Sequence, residues 1–129
     1  MTDKKKRILV IEDDKSLREL LAVRLRTHDY EVDTAENGKT GLSLCREKKP
    51  DLMLLDVNLP DILGVDIAEI IRNSKADFGP PKIIVVTGIA YSVDDPKDRW
   101  QREFGVADFI AKPFDFEELL RKITKVLEE

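Results

Sequence analysis

Short apolar runs alternate along the chain with longer stretches whose apolar residues recur at helical spacing. Arg7-Ile8-Leu9-Val10-Ile11 is a continuous β-branched-rich run, the pattern of a strand buried on both faces. Lys15 to Thr27 places Leu17, Leu20, Leu21, Val23 and Leu25 at helical intervals and predicts a helix. Glu31-Val32-Asp33-Thr34-Ala35 alternates and predicts a second strand near an edge. Gly38 to Lys48 predicts a helix through Leu42, Leu44 and Cys45, with Pro50 closing the turn after it. Leu52-Met53-Leu54-Leu55 predicts a third, buried strand that ends at Asp56, and Gly64 to Asn73 carries the helical face Val65, Ile67, Ala68, Ile70 and Ile71.

The loop Phe78-Gly79-Pro80-Pro81 interrupts the pattern before Lys82-Ile83-Ile84-Val85-Val86, the fourth predicted strand. Asp95-Pro96 is a helix start, because Asp caps the first amides and Pro at the first helical position forfeits no intrahelical bond. That helix is expected to run to about Phe104 and stop at Gly105. Val106 to Ala111 predicts a fifth strand and Phe116 to Leu127 a closing amphipathic helix. Five strands alternating with five helices imply parallel pairing through right-handed crossovers, with helices on both faces of the sheet. The expected fold is one doubly wound, five-stranded parallel α/β domain spanning 1–129, with 1–6 as a flexible lead-in.

Composition narrows the function classes. At 129 residues the chain suits one domain with a sizeable core. Its net charge of −4 argues against nucleic-acid binding through bulk charge, which needs clustered Lys and Arg. The one basic run, Lys4-Lys5-Lys6-Arg7, reads as a solvated approach to the first strand. A single cysteine, Cys45, excludes an intramolecular disulfide and a cysteine zinc cage, and its place beside Leu44 reads as core or boundary. No apolar run approaches the ~18 residues of a membrane span, and no apolar signal core follows the basic residues. A soluble, cytoplasmic protein without membrane contact is expected.

In an open α/β sheet, ligands bind beyond the carboxyl ends of the strands. Strand one ends in Glu12-Asp13-Asp14, strand three in Asp56 and strand four in Thr87-Gly88, while Lys112-Pro113 follows strand five. Carboxylates from adjacent strand ends repel one another unless protonated or bridged by a cation. Mg²⁺, which takes one or two carboxylates and keeps several waters, is the natural bridge. Glu12 to Asp14 read alone is equally a solvated, helix-capping turn. Asp56, Thr87 and Lys112 likewise have ordinary roles as turn former, strand residue and surface charge. Their joint placement carries the chemical reading: a carboxylate can attack phosphorus to give an acyl phosphate. That chemistry needs in-line positioning and charge neutralisation. The metal and Lys112 would supply positive charge, with donors from the Thr87 hydroxyl and nearby backbone amides.

These segments resemble the receiver domain of two-component response regulators over essentially the whole chain, a flavodoxin-like fold. The resemblance rests on Ile8-Leu9-Val10-Ile11-Glu12-Asp13-Asp14, then Leu54-Leu55-Asp56-Val57-Asn58-Leu59-Pro60 with Gly64, then Val85-Val86-Thr87-Gly88, then Phe109-Ile110-Ala111-Lys112-Pro113-Phe114. It implies that Asp56 is the phosphoacceptor, taking a phosphoryl group from a histidine kinase or a histidine phosphotransfer protein. It implies Mg²⁺, with Mn²⁺ as a substitute, held by Asp13, Asp56 and the Asn58 backbone carbonyl, with Glu12 acting through water. Thr87, Gly88 and Lys112 would contact the phosphoryl oxygens, and Thr87 and Phe109 would form the switch. The Lys112-Pro113 bond is expected to be cis. The output surface would be the face of the predicted 95–104 helix, the fifth strand and the closing helix, which could also form a homodimer. Such a domain is no enzyme towards other molecules; it catalyses only its own Asp phosphorylation and dephosphorylation.

The chain departs from the family's commonest pattern in places. The switch aromatic Phe109 lacks the hydroxyl of the frequent Tyr. Leu63 stands where an Asp is common, and Ile89 to Asp95 extends the loop before the predicted 95–104 helix. Asn58 and Ile89, two residues after Asp56 and Thr87, are expected to tune dephosphorylation, the apolar Ile89 being unable to orient water. A Mg²⁺-dependent phosphohydrolase with an Asp nucleophile is the competing enzyme class. It commonly needs a second Asp where this chain has Asn58, and a cap domain for which there is no length. A nucleotide-binding module is disfavoured because neither a dinucleotide fingerprint nor GxxxxGK[ST] follows any strand. A scaffold without phosphate turnover sits poorly with a complete acidic site.

Overall fold

The strands β1 (Arg7–Ile11), β2 (Glu31–Ala35), β3 (Leu52–Asp56), β4 (Lys82–Thr87) and β5 (Asp108–Ala111) form one parallel sheet in the order β2-β1-β3-β4-β5. They are seen in a computed structural model that describes residues 5–88 and 105–129. Five helices lie within the described residues: α1 (Lys15–Thr27), α2 (Gly38–Lys48), α3 (Gly64–Asn73), α4 (Lys75–Phe78) and α5 (Phe116–Glu128). The predicted 95–104 helix with Trp100 and Phe104, the 89–95 loop and Ile89 lie outside the described residues.

Alternate residues of each strand feed the two halves of the core. Leu9, Ile11, Met53, Leu55 and Val85 point to the face covered by α2, α3 and α4, through Cys45, Ile67, Ile71 and Phe78. Ile8, Val10, Leu52, Leu54 and Ile84 point to the face covered by α1 and α5, through Leu21, Leu25, Leu119 and Ile123. Burial on both faces explains the unbroken apolar runs of β1 and β3. Each fully buried Leu or Ile side chain contributes roughly 1.5–3 kcal/mol. Edge strand β2 is only half-buried, and its outward acids are held by Arg7, 2.7 Å from Glu31 and 3.3 Å from Asp33. Charged side chains on an edge discourage pairing with another chain.

The helix ends show why the elements begin where they do. Asp14 accepts the Leu17 amide at 3.1 Å and starts α1, while Asn37 accepts the Thr40 amide at 2.8 Å and starts α2. At Gly41, α2 approaches β1 so closely that a Cβ would overlap the Ile11 side chain. The pattern reading missed α4, because one helical turn is too short to show a period. Its Phe78 is wholly buried beneath the Arg46 guanidinium, and Gly79 ends it in the left-handed region at φ 68°. Strand five begins at Asp108 and not at Val106, since the β4 ladder starts with the pair Ile84–Asp108. Val106 is buried as a core plug just before it.

Parallel pairing brings all carboxyl ends of the strands to one edge. The chain leaves β1 for β2 on one side, then crosses to β3 on the other. The order therefore reverses between β1 and β3, where Glu12 and Asp56 lie.

Candidate acidic phosphoacceptor site

Glu12, Asp13 and Asp56 each place a carboxylate oxygen within 4.8 Å of the others. Glu12 and Asp56 are 2% and 4% exposed, so two carboxylates sit in the interior, while Asp13 is open to solvent. Burying charge this way costs several kcal/mol per group unless it is compensated. Lys112 provides the compensation. Its Nζ lies 2.7 Å from Glu12 Oε1 and 3.4 Å from Asp56 Oδ2. Further bonds hold the acids: the Asp14 amide donates to Glu12 Oε2 at 3.2 Å, and the Asn58 amide donates to Asp56 Oδ1 at 3.1 Å.

The electrostatics follow from this crowding. Burial pushes the Glu12 carboxyl up to about 7, and the proximity of Asp56 adds to the rise while the Lys112 hydrogen bond opposes it. For Lys112, burial favours the neutral amine, yet the hydrogen bond to Glu12 and the charges of Asp56 and Glu12 outweigh it and raise its pKa. The site thus holds more negative charge than one lysine settles. A hard divalent cation with oxygen ligands fits that donor set, and Glu12, Asp13 and Asp56 are the side chains that would hold it.

The other predicted residues surround this centre. Thr87 ends β4 and is buried, and its carbonyl accepts the Lys112 amide at 2.6 Å. Gly88 follows in open space, with nothing near the position a Cβ would take. The Lys112–Pro113 peptide bond is cis. Phe109, 2% exposed, packs into the core half lined by α2, α3 and α4. Asp14 proves to be the helix cap of the acidic turn, so the capping reading holds for that residue and not for Glu12.

Two residues of the neighbourhood were not singled out from the sequence. Arg18, on α1, donates through Nη1 to the Glu12 carbonyl at 2.9 Å and to the Asp13 carbonyl at 3.3 Å, fixing the acidic turn from above. An Arg in the opening turns of a helix that follows an acidic turn was the available signal. Asp61, in the loop after β3, accepts the Gly38 and Lys39 amides at 2.8 and 2.9 Å. No local pattern links residues so far apart in sequence. Beside the site an open groove of about 770 Å³ runs between α1 and the β5–α5 connection, touching Leu17, Leu20, Arg24, Lys112 and Phe116.

Comparison with known proteins agrees with this geometry. The response regulator receiver domain family matches residues 8–124. Response regulator ArlR of Staphylococcus epidermidis is 36% identical over 120 residues, covering 93% of this chain and 52% of that protein. The DNA-binding response regulator MtrA of Mycobacterium tuberculosis is 37% identical over 123 residues, covering 95% of this chain and 51% of that protein. The chain therefore spans about half the length of the curated relatives it matches. Among solved structures, a CheY-like receiver domain protein from Methanospirillum hungatei superposes with a TM-score of 0.83 at 31% identity, covering 97% of this chain and 95% of that one. Response regulator TrrA of Thermotoga maritima, solved in complex with Mg²⁺-BeF, gives 0.78 at 37% identity, covering 94% and 98%. Among the described residues no helix is long and apolar enough to cross a membrane. With its five-stranded parallel sheet and acidic strand-end site, the chain belongs to the response regulator receiver domain family of two-component signalling.

Proposed function

We propose that this domain takes a phosphoryl group onto Asp56 from the phosphohistidine of a histidine kinase or a histidine phosphotransfer protein. A carboxylate oxygen of Asp56 forms the new O–P bond as the N–P bond breaks. The leaving ring nitrogen keeps the N–P electron pair, the imidazole departing neutral because its other nitrogen carries the proton. Bound Mg²⁺, with Mn²⁺ as a substitute, supplies positive charge to the transferring group. Asp13, Asp56, the Asn58 backbone carbonyl and, through water, Glu12 would hold it. Lys112, Thr87 and Gly88 provide the remaining phosphoryl contacts. The chemistry is confined to the chain's own carboxylate, so the domain acts as a switch and not as an enzyme on other molecules.

The observation that carries this reading is the Lys112 ammonium shared between two buried carboxylates from different strands, with exposed Asp13 beside them. The Mg²⁺-BeF complex of TrrA supports the extension to a metal and a phosphoryl-like group. Acceptance of the group would move Thr87 inward with rotation of the Phe109 ring, and so alter the face at β5 and α5. That face then selects a partner, an output domain or a second copy of the chain. A shift of a few kcal/mol is enough for such a switch. Net charge of −4 supports a domain that does not itself bind nucleic acid.

Incubation with Mg²⁺ and a small phosphodonor, followed by intact-mass measurement, tests the proposal. One phosphoryl adduct is expected on the parent and none on Asp56→Asn. An unmodified parent, or an equal adduct on the variant, would overturn it.

A further inference from the structure

The loop that follows Asp56 is tied to the first turn of α2. Its base is closed by the Gly64 amide donating to the Val57 carbonyl at 3.2 Å and by an antiparallel bridge between Asn58 and Leu63. Inside that base the Asn58 amide donates to Asp56 Oδ1 at 3.1 Å. At the far end, Asp61 Oδ1 accepts the Gly38 amide at 2.8 Å and the Ile62 amide at 3.0 Å, while Oδ2 accepts the Lys39 amide at 2.9 Å. Asn37 satisfies only the Thr40 amide, so Asp61 takes the two α2 amides that α2's own cap leaves open. The contact is close-packed: a Cβ on Gly38 would lie 3.0 Å from Ile62 Cβ and 2.9 Å from Ile67 Cδ1. The hydrogen bonds from Gly38 and Lys39 also hold the Asp61 carboxyl below its ordinary pKa, so the tie stays charged across the neutral range.

We infer that Asp61 is a positioning residue of the acceptor site: by tying the 57–63 loop to the first turn of α2, it holds Asn58 against Asp56 and thereby sets the site's affinity for Mg²⁺. The inference rests on the phosphoacceptor reading above. A simple helix cap would stabilise α2 and leave the site alone. The positioning role passes along the loop, three residues from Asp61 to Asn58, and its effect appears at the metal.

The test compares the parent, Asp61→Ala and Asn37→Ala, the last removing a cap from the same helix end without touching the loop. Mg²⁺ affinity is measured by calorimetry with MgCl₂, and exchange of the Asn58 amide is followed by NMR in metal-free buffer. Asp61→Ala is expected to weaken Mg²⁺ binding about tenfold, the lower range for losing a group that orients a metal ligand. It should also strip protection from the Asn58 amide, whereas Asn37→Ala does neither. Asp61→Asn keeps one acceptor oxygen and carries the same comparison, with a smaller loss, if Asp61→Ala does not fold. Unchanged Mg²⁺ affinity and unchanged Asn58 exchange in the Asp61 variants would overturn the inference alone. A parent that neither binds Mg²⁺ nor takes a phosphoryl group would overturn the phosphoacceptor reading, and this inference with it.

Discussion

The Lys112 ammonium meets the Glu12 carboxylate at 2.7 Å, although β5 and β1, which these residues follow, are separated in the sheet by β3 and β4. The long lysine stem spans two strand ends, passing Asp56 at 3.4 Å, and so joins both buried acids to one cation.

Removing that cation leaves two buried acids without their counter-charge. Lys112→Ala is expected to lower unfolding stability by about 1–3 kcal/mol at pH 8, the cost of an unpaired buried polar group. The loss should shrink at pH 5, where Glu12 is protonated, and Mg²⁺ should restore part of it at pH 8. Urea unfolding at both pH values, with and without Mg²⁺, measures this; an equal loss at pH 5 and 8 would contradict it.

Glu12 makes stability depend on pH with a defined sign. Its folded pKa of about 7 lies above the ordinary 4.5, so folding favours the protonated form. The contribution is fully present below pH 4.5 and is lost as pH rises through 7. Metal-free unfolding free energy should accordingly fall across that window in the parent and lose this component in Glu12→Gln. Mg²⁺, which needs the carboxylate, should bind more weakly below pH 7 and release a proton on binding. Calorimetry in buffers of different ionisation enthalpy counts that proton.

Gly64 is where α3 begins against the backbone at the end of β3. A Cβ there would lie 3.0 Å from Val57 Cα and 3.2 Å from the Asp56 carbonyl oxygen, and neither backbone atom can rotate away. Gly64→Ala should destabilise the fold by about 1–3 kcal/mol, as overpacking does. A thermal or urea transition unchanged from the parent would show that α3 can move aside freely.

Cys45 has no solvent contact, and burial pushes its thiol up to about 11. A thiol-reactive probe should leave the native protein unmodified at pH 8 and label it in step with urea unfolding. Labelling in native buffer at the rate of an exposed thiol would mean that α2 opens locally.

Ile89 lies outside the described residues, and its expected role rests on its place two residues after Thr87. Ile89→Glu should shorten the lifetime of the Asp56 acyl phosphate by giving attacking water a hydrogen-bond partner. The decay of the phosphoryl adduct by intact mass decides it, and a longer-lived variant would sink the idea.

Local pattern alone was enough to delimit β1, α1, β2, α2 and α3, because each carries its burial period or its capping residue within its own few residues. It was enough, too, to nominate Glu12, Asp56, Thr87 and Lys112, since parallel pairing brings every strand end to one edge. It missed α4, a single turn recognisable only from where Phe78 is buried. It treated Glu12, Asp13 and Asp14 as one acidic turn. The tertiary structure divided them into a buried acid, an exposed acid and a helix cap, because backbone direction after β1 sends successive side chains to different surroundings. The contacts of Arg18 with the acidic turn and of Asp61 with α2 were likewise set by packing. Strand and helix periods are properties of neighbouring residues, but which carboxylate is desolvated and which cation reaches it depends on elements that meet only when the sheet closes.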